Sequence, residues 1–196
     1  MPPATSHPAL LIVLVGPSGV GKSTIARQLA QKLALAYTVS ATTRTLKPGD
    51  ENGKTYEYIS HDEFFRRLDQ DQFLEYAQVY DHYYGTPKHP ALDQLANGQD
   101  VLLEIDVQGA LQVRFQCPDA LLIFILPPDE PTLLRRLNAR GRDSDKDIAQ
   151  RFRAVTREIH MAKGSRAFDF MVVNDDLDRA VQEIASIIRQ RRSTHA

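Results

Sequence analysis

The eight residues Gly16-Pro17-Ser18-Gly19-Val20-Gly21-Lys22-Ser23 match the phosphate-cradling pattern G-x-x-x-x-G-K-[ST] without a mismatch. Glycines let a backbone wrap a polyphosphate, so that several N–H groups converge on one anion. Lys22 is placed to reach the β- and γ-phosphates and the Ser23 hydroxyl to ligate Mg²⁺. These residues and the adjoining Thr24 are the expected triphosphate-binding set. Phosphoryl transfer also needs positive charge where the transition state is anionic. Arg136, Arg140, Arg142 and Arg151 offer it from one charged stretch, since a planar guanidinium stays protonated and binds phosphate oxygens in pairs. Arg136 and Arg140 are four apart, so a continuous helix would show both on one side. Glu104 and Asp106 are two apart at the end of an apolar run, a spacing that puts both on one face of a strand. An acid there is the expected second Mg²⁺ anchor of a phosphate-loop enzyme. The same pair also has the makings of a general acid–base couple, which ranks below the metal role beside a complete loop.

Rigid elements must hold these groups. The apolar run Leu10 to Val15 reads as a buried strand, and a helix with Ile25, Leu29 and Leu33 on one side begins near Lys22. Strand, loop and helix in that order are the context the motif requires. Val101 to Asp106, Leu121 to Leu126 and Phe170 to Val173 read as further strands. Helices are predicted around 107–115, 131–139 and 176–189. Strands separated by helices predict an α/β fold, a doubly wound parallel sheet with helices on both faces. Between these, Tyr37 to Val39 reads as a short strand, Tyr56 to Ile59 as extended, and Phe73 to Tyr80 as an alternating strand. Pro90 to Asn97 reads as a short helix stopped at Gly98. Ser60-His61-Asp62-Glu63 has capping-box spacing, and Phe64, Phe65 and Leu68 are expected on one helical face.

Thr42 to Thr86 and Arg140 to Gly164 look less like core: the first is rich in Tyr, Glu and turn residues, the second in Arg, Asp and Lys. We read them as insertions over the ligand end of the sheet, a substrate domain and a lid, against the plainer reading of solvated excursions. At 196 residues the chain suits one domain. A net charge of −1 supplies no global field for nucleic acid or membrane, and neither is an expected partner. Cys117 stands alone, which excludes an intramolecular disulfide framework and suits a reducing compartment; packing is its expected role. The first eight residues lack the basic region of a signal peptide, and Leu10 to Val15 is too short to span a bilayer, so the expected location is the cytoplasm. The residues alone therefore describe a Mg²⁺-dependent phosphate-loop nucleotide enzyme with an arginine lid. A kinase of a small phosphorylated acceptor fits better than a GTPase, because no guanine-reading N-K-x-D occurs.

From Leu11 to Ile188 the chain resembles the guanylate kinase family. Besides the phosphate loop, the resemblance rests on Ser40-Ala41-Thr42-Thr43-Arg44, Asn52-Gly53-Lys54-Thr55-Tyr56, Tyr83-Tyr84-Gly85-Thr86, Glu104-Ile105-Asp106-Val107-Gln108-Gly109 and Val173-Asn174-Asp175-Asp176. It implies a core (9–39, 90–135 and 165–196), a small mixed α/β GMP-binding insertion (40–89) and a helical lid (136–164). It implies transfer of the γ-phosphoryl group of ATP to GMP and dGMP, with Mg²⁺. The GMP phosphate would fall to Arg44, Tyr56 and Tyr84 with help from Lys47, and the guanine to Ser40, Glu75, Thr86 and Asp106, Gly85 lying beside them. Glu104 matches an acidic position near metal and acceptor, Lys22, Arg136, Arg140 and Arg151 match catalytic cations, and Asn174 matches a position near the ATP base.

Glu75 suits guanine on chemical grounds. Guanine presents N1–H and an adjacent amino group, which one carboxylate can accept together, whereas adenine N1 would face it with a lone pair. Sites built on such bonds reject the analogue by roughly 10⁴ or more. Lys47 departs from the family's usual arginine, keeping the charge but losing the bidentate fork. Glu104 stands where some relatives hold aspartate. Two other functions are weighed. A kinase of another phosphorylated acceptor (AMP, a pyrimidine nucleotide or a ribose phosphate) is disfavoured by Glu75. A non-catalytic guanylate-kinase-like interaction module should lack the working loop and lid arginines present here. Monomer and homodimer both remain open.

Overall fold

The computed structural model describes residues 8–138 and 145–194. Along the chain run β1 (Leu11–Val15), α1 (Lys22–Leu33), β2 (Ala36–Tyr37), β3 (Ala41–Thr42), β4 (Glu57–Tyr58), α2 (His61–Asp69), β5 (Phe73–Val79) and β6 (His82–Pro87). They continue with α3 (Lys88–Ala96), β7 (Val101–Ile105), α4 (Val107–Gln116), β8 (Leu121–Leu126), α5 (Glu130–Asn138), α6 (Asp145–Ser165), β9 (Phe170–Val173) and α7 (Leu177–Thr194).

Five strands form an all-parallel sheet in the order β2-β7-β1-β8-β9. Every residue of β1 is buried, as expected of a strand covered on both faces. Alternate side chains divide the core. Ile12 and Leu14 pack with Ile25 and Leu29 of α1 and Ile184 and Ile188 of α7. Leu11, Val13 and Val15 pack with Ala110 and Val113 of α4 and Ala162 of α6. The predicted doubly wound sheet with helices on both faces is therefore present. The ends of its strands away from the loop are pinned by the buried Asp100, whose carboxylate accepts from Leu10 N (2.7 Å) and Arg192 Nε (2.6 Å). Among the described residues no helix is long and apolar enough to cross a membrane.

A second, four-stranded mixed sheet, in the order β4-β3-β6-β5, is inserted between β2 and α3. Phe64 of α2 stacks on Phe73 of β5 with ring centroids 4.6 Å apart, beneath Ala41. Phe65 departs from expectation and is 41% exposed. Neighbours on a helix diverge by about 100°, so Phe64 and Leu68, four apart, do the packing. Ser60 accepts from Glu63 N at 3.1 Å, which is half a capping box, while the Glu63 carboxylate turns instead to Arg66 and Arg67. The short strand around residue 37 stops at Tyr37, and β6 is a strand the hydropathy pattern did not announce. The charged stretch after residue 144 forms the 21-residue α6, which buries Val155 against Leu133 of α5.

Candidate active site

β1 ends at the phosphate loop, which turns into α1 through Gly21. That residue has φ +97°, and a Cβ there would lie 2.6 Å from Asn174 Nδ2, so both backbone and space call for glycine. Asn174 follows β9, is buried, and donates through Nδ2 to Val20 O at 2.7 Å. Its Oδ1 is buried with no hydrogen-bond partner. Arg136 of α5 donates to the Asn174 carbonyl at 3.1 Å. The expected base neighbour Asn174 thus stands beneath the loop and braces it, and Arg136 braces Asn174. The Val20 side chain belongs to the core, so this position can offer ligand only its backbone. Lys22 Nζ donates to the loop carbonyls of Gly16 and Pro17, the latter at 3.1 Å.

Ser23 Oγ donates to Glu104 Oε1 at 2.7 Å, and Tyr37 donates its hydroxyl to Glu104 Oε2 at 2.8 Å. Burial, with the Glu104 charge second, pushes the Tyr37 hydroxyl far above its ordinary range, so it stays a neutral donor. Among the described residues no cluster of three or more His, Cys, Asp or Glu side chains suits a metal ion. Mg²⁺ asks for less than that. It takes one or two protein oxygens and completes its shell with water and substrate phosphate, and the Ser23–Glu104 pair supplies such oxygens.

Asp106 corrects the strand reading. β7 ends at Ile105, and Asp106 is the N-cap of α4, its Oδ1 accepting from Gly109 N at 2.8 Å. The capping bond turns the chain out of the sheet, so Glu104 and Asp106 do not share a strand face. Both still line one cavity. Burial raises the Asp106 carboxyl, while the Gly109 N–H and Lys22 pull it back.

Opposite the loop, Glu75 of β5 is 4% exposed. Its Oε1 accepts from Thr86 N at 3.0 Å and Thr86 Oγ1 at 2.6 Å across the β5–β6 ladder. Burial pushes its carboxyl up to about 7, against the pull of the Thr86 bonds. Ser40 Oγ lies 3.5 Å from Thr86 Oγ1. Tyr56 and Tyr84 meet edge to face, centroids 5.6 Å apart. Arg44 stands 5.4 Å from the centroids of Tyr56 and Tyr58, and its Nη2 is 2.8 Å from Asp50 Oδ2.

One cavity of about 300 Å³ is lined by the loop, by Ser40, Tyr56, Glu75 and Tyr84, and by Glu104 and Asp106, while Thr86 and Arg44 stand behind its lining, on Glu75 and beside Tyr56. A cleft of about 380 Å³ between α1 and α7, lined by Gln28, Lys32 and Asp178, gathers no comparable set. Some expected residues stand off the cavity. Lys47 is exposed in its loop. Gly85 is buried, with the Phe73 ring so close that a Cβ would meet it at 2.8 Å, so it serves packing within the second sheet. Arg140, like Arg142, lies outside the described residues, and of Arg151 only the backbone, within α6, is described. Glu158 of α6 lines the cavity unforeseen, its carboxyl lifted by burial to about 7 and drawn down by Lys22. No motif marks it among the many charges of that stretch. Tyr37 is a second addition, hidden in a strand that read as framework.

Comparison with known proteins agrees with this geometry. The family model described as guanylate kinase matches residues 9–191. The guanylate kinase of Caldanaerobacter subterraneus subsp. tengcongensis is 47% identical over 180 residues, covering 91% of this chain and 86% of its own. That of a Synechococcus species is 44% identical over 188 residues, covering 95% and 84%. The crystal structure of guanylate kinase from Anaplasma phagocytophilum superposes with a TM-score of 0.80 at 29% identity, over 95% of this chain and 87% of that one.

Proposed function

The chain belongs to the guanylate kinase family and is an ATP:GMP phosphotransferase; from that premise we propose which of its residues perform the transfer. ATP lays its polyphosphate in the loop from Gly16 to Ser23, against the positive end of α1. Lys22 exchanges the Gly16 and Pro17 carbonyls for phosphate oxygens. Ser23 and Glu104 would hold Mg²⁺, which would supply charge neutralisation for the polyphosphate. The inserted sheet is the GMP-binding subdomain. There the Glu75 carboxylate accepts from guanine N1–H and the amino group, with Ser40, Thr86 and Asp106 completing the base pocket. Arg44, Tyr56 and Tyr84 hold the acceptor phosphate, the tyrosines donating without adding charge. Arg136, Arg140 and Arg151 offset the charge on the migrating phosphoryl group as the lid segment, 136–164, excludes water. Asn174 serves ATP through the loop it supports. A lone cysteine suits the reducing cytoplasm as the place of work.

The observation that carries this assignment of roles is that the phosphate loop and the buried Glu75, on different sheets, open onto the same cavity. The test supplies ATP and Mg²⁺ with GMP, dGMP, AMP or UMP in turn. GDP and ADP should form from GMP, and dGMP should be accepted. Equal or better turnover of AMP would remove the guanine-reading role from this pocket.

A further inference from the structure

Asp106, Gly109, Gln112 and Gln116 recur along α4 at intervals of three and four, which places them on one face. That face is docked along β5, an edge strand of the inserted sheet. Gln112 Nε2 donates to Tyr76 O at 2.6 Å, and its Oε1 accepts from Tyr76 N at 3.2 Å. Gln116 Nε2 donates to Leu74 O at 3.1 Å. The two glutamines therefore do for β5 what a neighbouring strand would do. They grip the residues on either side of Glu75. The ladder register slips between Phe73 and Glu75, a bulge that leaves Phe73, Leu74 and Glu75 all buried. Bulges re-aim side chains, and Gln116 holds this one at its carbonyl.

Gly109 touches both acids of the base pocket. Its N–H donates to Asp106, and a Cβ built on it would lie 2.0 Å from Glu75 Oε2 and 2.8 Å from the Glu75 carboxyl carbon. Its backbone is helical, with no positive φ to demand glycine. In a helix interior alanine is preferred over glycine by about 1 kcal/mol. Room for the Glu75 carboxylate, rather than conformational freedom, is what glycine supplies here. Thr86 fixes one carboxylate oxygen and Gly109 sets the limit for the other.

We propose that Gly109 and Gln112 are positioning residues for base selectivity: without touching the nucleotide, they set where the Glu75 carboxylate stands and so how strongly a guanine monophosphate is preferred over an adenine one. The proposal rests on Glu75 as the base-reading group. Accepting two adjacent donors requires the carboxylate in one place and orientation, and a displacement on the order of 1 Å turns two bonds into one or none. Phosphate-loop chemistry does not depend on that position.

The test measures kcat and KM for GMP, AMP and ATP, with melting temperature, in Gly109→Ala, Gln112→Met and Glu75→Gln. Gly109→Ala and Gln112→Met should each raise KM for GMP and lower the GMP-to-AMP ratio of kcat/KM by about tenfold, the scale of one lost bond to a charged group. KM for ATP should stay within about twofold, because no loop contact changes. In Gly109→Ala the helix gains alanine while the buried Glu75 carboxylate must shift, so the selectivity ratio and not the melting temperature decides. If α4 is only a structural joint, both KM values rise together and the selectivity ratio holds, which overturns the proposal. Should Gly109→Ala fail to fold, Gln112→Met gives the same ratio test. A ratio moved by Glu75→Gln but by neither other variant sinks the positioning role alone. A ratio unmoved by Glu75→Gln sinks the base-reading role beneath it.

Discussion

Ser23 Oγ donates to Glu104 Oε1 at 2.7 Å, joining the last residue of the phosphate loop to the penultimate residue of β7. The parallel β1–β7 register, with Leu14 opposite Glu104, makes this contact, since it carries both chains to the same end of the sheet. Ligands of open α/β sheets bind at that end. If the pair holds Mg²⁺, Glu104→Gln should raise the Mg²⁺ concentration for half-maximal rate by about tenfold or more, the usual scale for disturbing a metal's protein partners. Titrating Mg²⁺ at saturating ATP and GMP reads this directly. An unchanged midpoint with a lowered rate would instead return Glu104 to the acid–base role.

In the proposed division of roles Lys22 serves only the donor half of the reaction. Its ammonium rests on Gly16 and Pro17, while the proposed GMP-side groups sit on β5 and β6 and in the segments flanking β3 and β4. Lys22→Ala should cut kcat by about 10²–10³-fold, the scale for removing one preorganised charge donor. GMP affinity, measured by calorimetry without ATP, should change less than about threefold. A parallel loss of GMP binding would break this division of labour.

The phosphate loop and the parallel strands were legible because each signal is local: a glycine pattern, or an apolar run long enough for a covered strand. Glu75 could be singled out by its match to a family position, but its burial could not, since the bulge before it breaks the alternation that would report which face it occupies. Asp106 misled because a capping acid and a strand-end acid look alike until the next residues commit to a helix. Glu158, Tyr37 and Gln112 were silent for a common reason. Each matters through a partner on a distant element, Lys22, Glu104 or Tyr76, and no spacing along the chain encodes such a meeting.

Asp100 offers a test of stability separate from catalysis. It immediately precedes β7 at the end of the strands away from the loop, is 5% exposed, and ties Leu10 and Arg192 of α7 to one carboxylate. Asp100→Ala leaves the Leu10 N–H buried without its acceptor, at a cost of about 1–3 kcal/mol. The denaturant midpoint should fall accordingly, with kcat and both KM values unchanged well below the transition. A variant of wild-type stability would show that Leu10 and Arg192 find equivalent partners elsewhere.

If Glu75 reads the base, it couples acceptor choice to pH. Its carboxyl is raised from 4.5 to about 7 by burial. Between those values the folded protein holds a proton that the unfolded chain has released, so the native state binds more protons and stability falls as pH rises through the window. Glu158, also raised to about 7, adds in the same direction. Guanine recognition needs the ionised form, because N1–H and the amino group both donate, while the protonated acid can itself donate to adenine N1. The GMP-to-AMP ratio of kcat/KM should therefore climb by roughly fivefold to tenfold from about pH 6 to about pH 8, following the ionised fraction. The acceptor phosphate ionises too, but equally in both nucleotides, and cancels in the ratio. Glu75→Gln should flatten the profile and lessen the fall in melting temperature with pH. A wild-type ratio that is level across this range would mean that the carboxylate is already ionised at pH 6, and that the loss of water around it is offset inside the pocket.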